Sequence, residues 1–233
     1  MITVKIAGLA IGIDNRYDYI AEYARDYLTV DEPLFTVKVT DGDIAAERAL
    51  SEEEYSDAYY ESIAAYRKIA EILPSYDAFL FHGAVIELEN KAYIITANSG
   101  VGKTTHLKLW LSRFGKEVEI LNGDKPILRF IDEKPYASGT PWRGKEGYGK
   151  SGMKEIGGIA FLERGEENAA YKIEPQDAAA KFVSQAYLPK KDSKMLIKTL
   201  NLSNKLINSV RLVRLECNMD LEAADVSRKA LTE

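Results

Sequence analysis

The sequence predicts an α/β protein with a mixed β-sheet and flanking helices, preceded by a small α+β module. Three observations favour this fold. Apolar residues make up 46% of the 233 residues, as is typical of a globular protein with a substantial core. Short apolar runs are joined both by tight turns and by helical segments, which indicates a mixed sheet. A glycine-rich segment in the middle of the chain separates an apolar strand from an amphipathic helix.

The first 77 residues predict the small N-terminal module. Ser51 and Glu54 fit a capping box, which predicts a helix that runs to about Leu73, before Pro74. The earlier elements follow from alternating and helical apolar patterns: strand character over 2–13 with a break at Gly8, a helix over 17–27, a strand over 34–39 and a turn at 41–43.

Residues 78–233 predict the larger domain. Its long central loop, residues 138–153, contains five glycines. Strands are expected over 78–88, 92–96, 118–121, 127–131, 135–137, 156–162, 169–173 and 210–215. Helices are expected after the glycine-rich segment up to Gly115, over 175–187, over 196–207, and over 221–231 with Asp220 as the cap.

The glycine-rich segment, residues 97–104, reads A-N-S-G-V-G-K-T. It matches the Walker A phosphate-loop pattern G-x-x-x-x-G-K-[ST] except at the first position. Glycines bring backbone N–H groups close to phosphate oxygens, and the following helix adds its positive N-terminal end. Lys103 is expected to bind the β- and γ-phosphates, and Thr104 to ligate Mg²⁺. The sequence therefore predicts Mg·ATP binding by Ser99, Gly100, Val101, Gly102, Lys103 and Thr104. Thr105 either touches a phosphate or simply begins the helix.

A carboxylate is needed near the metal or near the acceptor hydroxyl. Asp124 follows a short strand just after the predicted phosphate loop, so we expect it to hold Mg²⁺ or to accept the proton of an attacking hydroxyl. His82 follows another apolar strand, where it has a structural role or an acid–base role beside Asp124. His106 is interpreted as a partly exposed helix residue.

Composition excludes several other classes of protein. The net charge is −5 and the basic residues are spread along the chain, so a nucleic-acid partner is not expected. No apolar run is long enough for a membrane helix, and the N-terminal segment lacks a signal-peptide pattern. The single cysteine, Cys217, forms no internal disulfide and is expected to be a buried small hydrophobe. We therefore expect a cytoplasmic protein.

Three segments together carry a resemblance to a known family: F-H-G-A-V at 81–85, the loop at 97–105, and L-N-G-D-K-P at 121–126. They resemble the kinase core of HPr kinase/phosphorylase, whose fold is shared with ATP-dependent phosphoenolpyruvate carboxykinase. More narrowly, residues 99–110, 122–126 and 139–145 resemble a group of bacterial HPr-kinase-like proteins. The resemblance covers roughly residues 78–188. It implies a P-loop core with a mixed sheet, the roles given above for Lys103 and Thr104, and a His82 that lies beside Asp124.

One position departs from the family pattern. Gly123 stands where the family usually has the first of two adjacent aspartates. If that aspartate is the base, the chain binds nucleotide without efficient transfer. Asp124 is then only a metal ligand, and His82 has to take the proton.

The loop at 140–150 is rich in glycine and cations. Arg143 is expected to clamp the transferring phosphate, and Lys145 could do the same, whereas Lys150 is interpreted as solvated. Trp142 either covers the site or anchors the loop in the core.

These observations favour a Mg·ATP-dependent kinase that acts on a hydroxyl of a protein or peptide serine, or of a small metabolite. An ATP-binding regulator without an acceptor is the alternative, and a carboxykinase-like lyase is a third reading. The pattern leaves open the acceptor and the choice among ATP, GTP and pyrophosphate. It also leaves open the oligomeric state, although HPr kinases form rings through their kinase core.

Overall fold

The computed structural model describes all 233 residues. The strands are β1 (Ile2–Ile6), β2 (Leu9–Asp14), β3 (Phe35–Lys38), β4 (Ala78–Leu80), β5 (Ala84–Leu88), β6 (Lys91–Thr96), β7 (Val118–Asn122), β8 (Ile127–Ile131), β9 (Lys134–Ser138), β10 (Met153–Arg164), β11 (Ala169–Lys172) and β12 (Arg211–Cys217). The helices are α1 (Tyr19–Tyr23), α2 (Asp41–Leu50), α3 (Asp57–Ile72), α4 (Lys103–Phe114), α5 (Pro175–Gln185), α6 (Ser193–Ile207) and α7 (Glu222–Thr232). None of the helices has both the length and the apolar character that a membrane span requires.

The strands form two sheets, and both are mixed. In the small sheet, β2 pairs antiparallel with β1 and parallel with β3. The large sheet has nine strands, with β4-β8-β9-β10-β6-β5-β7 as its main path. The long strand β10 is parallel to β6 and to β12 but antiparallel to β9. Because β10 has three neighbouring strands, β12 and its antiparallel partner β11 branch from the main path. The mixed-sheet prediction is therefore confirmed.

Side chains on the two faces of the large sheet enter different cores, as the period of two along a strand requires. Val85 and Ile94 lie in a core with α5 and α6, which contains the fully buried Phe182. The neighbouring Ile86 and Ile95 lie in a second core, with α4 and α7. Helices therefore cover both faces of the sheet. Their packing fixes the position of the end of β6, and the chain continues from there to α4.

The first 77 residues pack against the large sheet without joining it by strand pairing. Their core contains the small sheet and α3, and it also includes residues of the following segment such as Ile127 and Trp142. Hydrogen bonds link the two parts: Arg129 donates to the carbonyl of Ala7, and the amide of Ala7 donates to the hydroxyl of Ser138. The division of the chain at residue 77 remains a prediction.

Two predicted features of the N-terminal segment are wrong. The turn at 41–43 is the first turn of α2, because Thr40 caps this helix and Asp43 completes the capping box. Ser51 does not open a helix: it is the C-terminal cap residue of α2, and its hydroxyl donates to the carbonyl of Glu53. Helix α3 begins later, where Ser56 accepts from the amide of Tyr59. The cap residue of α3 is Ser56 rather than the predicted Ser51.

Other predicted bounds also need correction. The helix expected over 17–27 is the short α1 followed by a separate 3₁₀ turn at Arg25–Tyr27. The strand expected over 78–88 is divided into β4 and β5. The amide of Phe81 bonds to Pro126 and that of His82 to Gln185, so the chain leaves β8 before it pairs with β6. At α7 the cap residue is Leu221, and Asp220 does not cap with its side chain.

Trp142 anchors the long loop in the core. The side chain is 5% exposed, packs edge-on against Tyr66, and donates from Nε1 to the carbonyl and hydroxyl of Ser62 on α3. Of the two roles considered for Trp142, anchoring is thus the one that the structure shows.

We expect Trp142→Ala to lower the free energy of unfolding by about 3–5 kcal/mol, because it removes a large buried side chain and leaves a cavity. Denaturant unfolding followed by circular dichroism measures this. Trp142→Phe keeps most of the apolar volume and is expected to cost less. An alanine variant as stable as the wild type would show that the loop is not anchored there.

Candidate functional site

The segment from Ala97 to Gly102, called here the glycine loop, connects β6 to α4. Gly100 and Gly102 have φ values of +79° and +131°. A Cβ atom at either position would meet no atom within 4 Å, so the backbone conformation rather than lack of space explains the glycines. Gly102 is the N-cap residue of α4, and the first amides of this twelve-residue helix therefore lie beside the loop. The strand–loop–helix context predicted for residues 97–104 is confirmed.

Lys103 lies folded back on the glycine loop. Its ammonium group donates to the carbonyl of Ala97 at 2.8 Å and to that of Asn98 at 3.4 Å. The side chain is largely buried, and this burial lowers the pKa of Lys103, while the nearby charge of Asp124 acts in the opposite direction. The Lys103 ammonium thus contacts only neutral carbonyl groups of the loop, from which an anionic ligand could attract it.

The acidic turn after β7 is built by the fully buried side chain of Asn122. Its Oδ1 accepts from the amides of Asp124 at 2.8 Å and Lys125 at 2.7 Å. Its Nδ2 donates to the carbonyl and hydroxyl of Thr140. An asparagine that bonds to amides two and three residues later fixes a tight turn, so Asp124 has little freedom of position.

His82 lies beside this carboxylate, at the break between β4 and β5. Its Nε2 is 3.3 Å from Oδ1 of Asp124, and its Nδ1 bonds to Oε1 of Gln185 at 2.8 Å. The backbone is held too, because the amide of Gly83 donates to the carbonyl of Asp124. The predicted proximity of His82 and Asp124 is therefore observed.

Asp124 is ionised over a wide range of pH. Its burial acts to raise the pKa, but the hydrogen bond from His82 and the positive charge of Lys125 outweigh burial, and the pKa lies below the usual value. The Lys125 ammonium is 3.2 Å from Oδ1, the same oxygen that faces His82. A carboxylate that stays charged is suited to a metal ion or to a developing positive charge.

These side chains line one cavity of about 440 Å³. The predicted residues that line it are His82, Ser99, Gly100, Gly102, Lys103, Thr104, Thr105, Asp124 and Arg143. Val101 is the exception. It lines two neighbouring cavities instead, and its carbonyl accepts from Arg164.

Two of the cations of the long loop are already paired. Arg143 donates to Asp26 at 3.0 Å and lies over the ring of Tyr27. Lys150 pairs with Glu87 at 2.8 Å and also with Glu119. Lys150 therefore has a structural role, and Arg143 would have to exchange Asp26 for a phosphate in order to act as a clamp.

His106 is not the partly exposed residue that the sequence suggested. The side chain is 2% exposed, and burial lowers the pKa of the imidazole to about 4, so it is neutral at physiological pH. It belongs to a polar cluster with Trp110 and Ser227 inside the core between α4 and α7. Cys217 is buried as predicted, and its pKa is raised to about 12.

Gly123 is closely covered by the long loop. A Cβ atom there would lie 2.8 Å from the carbonyl oxygen of Arg143 and 3.1 Å from that of Tyr148. Contacts below 3.0 Å to backbone require the backbone to move. The place of the missing aspartate is thus occupied by the chain itself, and a second carboxylate does not fit without displacing residues 143–148.

Sequence reasoning missed three residues that organise the site. Gln185 joins α5 to the site, because it holds His82 and also donates to Oδ1 of Asn98 in the glycine loop. Asp26 binds Arg143 from the N-terminal segment. Arg164, at the end of β10, donates to the carbonyls of Gly100 and Val101. All three depend on contacts between segments far apart in the chain, which no local pattern reveals.

Comparisons with known proteins find similarity among solved structures. No protein-family model and no curated protein matches the sequence. Among solved structures, the HPr(Ser) kinase/phosphatase from Coxiella burnetii is similar to this chain, with a TM-score of 0.37 and 10% sequence identity. The match covers 64% of this chain and 94% of that one. A similarity this low does not by itself support a function, and the narrower bacterial group stays a prediction. The fold and site by themselves define an α/β protein with a glycine loop and an acidic turn that share one cavity.

We expect Gly123→Ala to lower the free energy of unfolding by about 1–3 kcal/mol, because the new methyl group overlaps backbone oxygens. Gly42→Ala in α2 is the matched control, since its nearest contact would be an ordinary 3.7 Å. Thermal and denaturant unfolding of both variants measure the difference. Equal stability of Gly123→Ala and the wild type would contradict the close packing described here.

Proposed function

We propose that this chain is a Mg·ATP-dependent kinase that transfers the γ-phosphate to a hydroxyl group. The observation that carries the proposal is the single cavity in which the glycine loop, Lys103 and Thr104 face the paired Asp124 and His82. The N-terminus of a helix, a mobile lysine and a fixed carboxylate are the parts that phosphoryl transfer requires. We further propose a cytoplasmic location, and a protein or peptide serine or a small metabolite as the acceptor.

The proposed step uses the side chains as follows. Lys103 leaves the carbonyls of the loop and neutralises the β- and γ-phosphates. The acceptor oxygen forms a bond to the γ-phosphorus as the bond from that phosphorus to the β-bridging oxygen breaks, which releases ADP. The hydroxyl proton passes to Asp124 or, by way of the adjacent contact, to His82.

The donor set also fits Mg²⁺. The hydroxyl of Thr104 and the carboxylate of Asp124 are hard oxygen donors of the kind Mg²⁺ prefers, and both line the cavity. When bound there, Mg²⁺ would supply positive charge to the phosphate oxygens. Because His82 and Lys125 contact Oδ1 of Asp124, its other oxygen is the one proposed to serve the metal.

A regulator that binds ATP without an acceptor is the second candidate. The close packing over Gly123 favours it, because the site has one carboxylate where the resembled family has two. The contact between Arg143 and Asp26 also connects the cavity to the N-terminal segment, through which a bound nucleotide could change the surface. The two candidates differ in turnover, which only the kinase has.

Phosphorus NMR of Mg·ATP incubated with the protein separates the candidates. The incubation is repeated with a cytosolic extract of metabolites and peptides. A new phosphate-ester resonance that requires both extract and protein supports the kinase. A spectrum that shows only binding shifts supports the regulator.

We expect Lys103→Ala to abolish the new resonance and to weaken binding of Mg·ATP at least about 10-fold, because charge-assisted contacts to the phosphates are lost. Lys116→Ala is the control, since this lysine is exposed beyond the end of α4 and outside the cavity. Calorimetry measures binding. Full transfer by Lys103→Ala would exclude the assigned role.

We expect Asp124→Asn to leave Mg·ATP affinity within about 10-fold and to lower the rate of transfer about 10²–10⁴-fold, because proton acceptance or metal charge is lost. Calorimetry and phosphorus NMR provide the two measurements. Asp132→Asn, in an exposed turn whose left-handed backbone asparagine tolerates, is the control. An equal loss of transfer rate in both variants would indicate a general effect of removing a negative charge rather than a role of Asp124 in the site.

A further inference from the structure

A small cavity of about 270 Å³, called here the side cavity, adjoins the proposed phosphate cavity. His82 lines both cavities, so they meet beside the contact between His82 and Asp124. The walls of the side cavity come from both parts of the chain. Residues 80–82 and 185–187 are joined by backbone hydrogen bonds and form one wall. Helix α3 of the N-terminal segment contributes another.

Positive charge dominates the lining of the side cavity. Arg67 and Lys125 are among the nine residues that line it, and none of the nine is an aspartate or a glutamate. Tyr66, Gln185 and Tyr187 add neutral polar side chains. A cleft lined by charge of one sign attracts ligands of the opposite sign. The side cavity therefore suits an anionic ligand.

Both cations have donors that no protein group uses. Arg67 engages only Nε, which donates to Glu47 at 3.0 Å, so its two terminal NH₂ groups have no hydrogen-bond partner. The ammonium group of Lys125 has three hydrogens and makes one contact, at 3.2 Å to Oδ1 of Asp124. A guanidinium group with two free NH₂ groups matches the geometry of a carboxylate or a phosphate.

From this arrangement we infer that the side cavity binds the phosphoryl acceptor, and that the acceptor is a small organic anion with a free hydroxyl group. Arg67 and Lys125 hold its carboxylate or phosphate, and its hydroxyl passes His82 to reach Asp124. The volume suits a metabolite rather than a protein, because sites for drug-sized ligands occupy about 300–1,000 Å³. This inference rests on the proposed function and deepens it by selecting one class of acceptor.

The position of the side cavity is compatible with the geometry of phosphoryl transfer. The attacking and the leaving oxygen lie roughly in line across the transferred phosphorus. In the proposed reaction the glycine loop holds the leaving diphosphate, while His82 and Asp124 lie where the two cavities meet. The acceptor oxygen bonds to the γ-phosphorus, the bond to the bridging oxygen breaks and releases ADP, and the hydroxyl proton passes to Asp124.

Fractionation of a cytosolic extract tests the inference. Ultrafiltration separates macromolecules from small molecules, and anion exchange divides the filtrate into an anionic and a non-anionic fraction. Each fraction is incubated with the full chain and Mg·ATP and followed by phosphorus NMR. We expect the new phosphate-ester resonance with the anionic filtrate alone. Treating that filtrate beforehand with a phosphatase, which is then removed, destroys a phosphorylated acceptor and spares one whose charge is a carboxylate.

Replacement of Arg67 tests the assigned contact. Arg67→Gln should raise the KM for the anionic filtrate about 10–100-fold, because charge-assisted hydrogen bonds are lost, and should leave the KM for Mg·ATP unchanged. Arg67→Lys should restore part of the loss. Lys68→Gln is the matched control, since this neighbour on α3 pairs with Asp43 and does not line the side cavity. Lys125 is a poorer position for the test, because it also contacts Asp124.

A second variant tests the volume of the side cavity without changing its charge. Ala186 is half-buried and lines the cavity, so Ala186→Leu adds carbon atoms to the wall. It should also raise the KM for the anionic filtrate. An unchanged KM for Mg·ATP, together with circular dichroism, shows that the variant is folded.

The outcomes separate this inference from the function on which it rests. A resonance that requires the macromolecular fraction would assign a protein or peptide acceptor, and one that requires the non-anionic filtrate would assign a neutral or cationic metabolite. Either result would overturn the inference while the kinase function stands. An acceptor KM that is unchanged in both Arg67→Gln and Ala186→Leu would also overturn it. Binding of Mg·ATP without an ester product from any fraction would overturn the kinase function and this inference together.

Discussion

The buried amide of Asn122 is the interaction on which the site depends. Its oxygen fixes the acidic turn, and its nitrogen fixes Thr140 at the start of the long loop. One side chain therefore sets the position of Asp124 and of the segment that covers Gly123. Such a network is stabilising only when all its groups are satisfied, and the hydroxyl of Thr140 completes it by donating to the carbonyl of Lys125. Replacing the amide would release the acid and the covering loop together.

Much of the larger domain follows from local patterns, because its strands are bounded by clear turns. The hairpin between β5 and β6 and the helix after the glycine loop are examples. The errors arise where local signals compete. Ser51 was expected to cap the helix, but Ser56 caps α3, and the segment between the two serines lies outside any helix. Burial of His106 depends on α7, which is distant in sequence, and so could not be read from the pattern of α4.

The site was predictable only where its residues belong to a local sequence pattern. A phosphate-loop pattern is local, so Lys103 and Thr104 could be assigned a position from the sequence alone. The prediction that His82 lies beside Asp124 came from a family resemblance, and the observed distance agrees with it. The partners Gln185 and Asp26 come from α5 and the N-terminal segment, and tertiary contacts alone bring them in. Consequently, the segment before residue 78, whose sequence carries no functional signal, still supplies the carboxylate that pairs with Arg143 in the cavity wall.

The charge balance of the cavity bears on how a single carboxylate, Asp124, could be sufficient for the proposed binding of a metal ion with phosphates. Lys103, Arg143 and Lys145 line it, against Asp124 and Glu146. A second carboxylate at position 123 would add negative charge beside a highly anionic ligand, whereas the backbone oxygens that cover Gly123 are neutral. The arrangement thus favours binding of polyphosphate more strongly than it favours binding of a metal ion alone. Affinity for Mg²⁺ should then depend on the phosphates as additional ligands, since Mg²⁺ is commonly held by one or two carboxylates together with substrate phosphates. Metal and nucleotide are accordingly expected to bind as one unit.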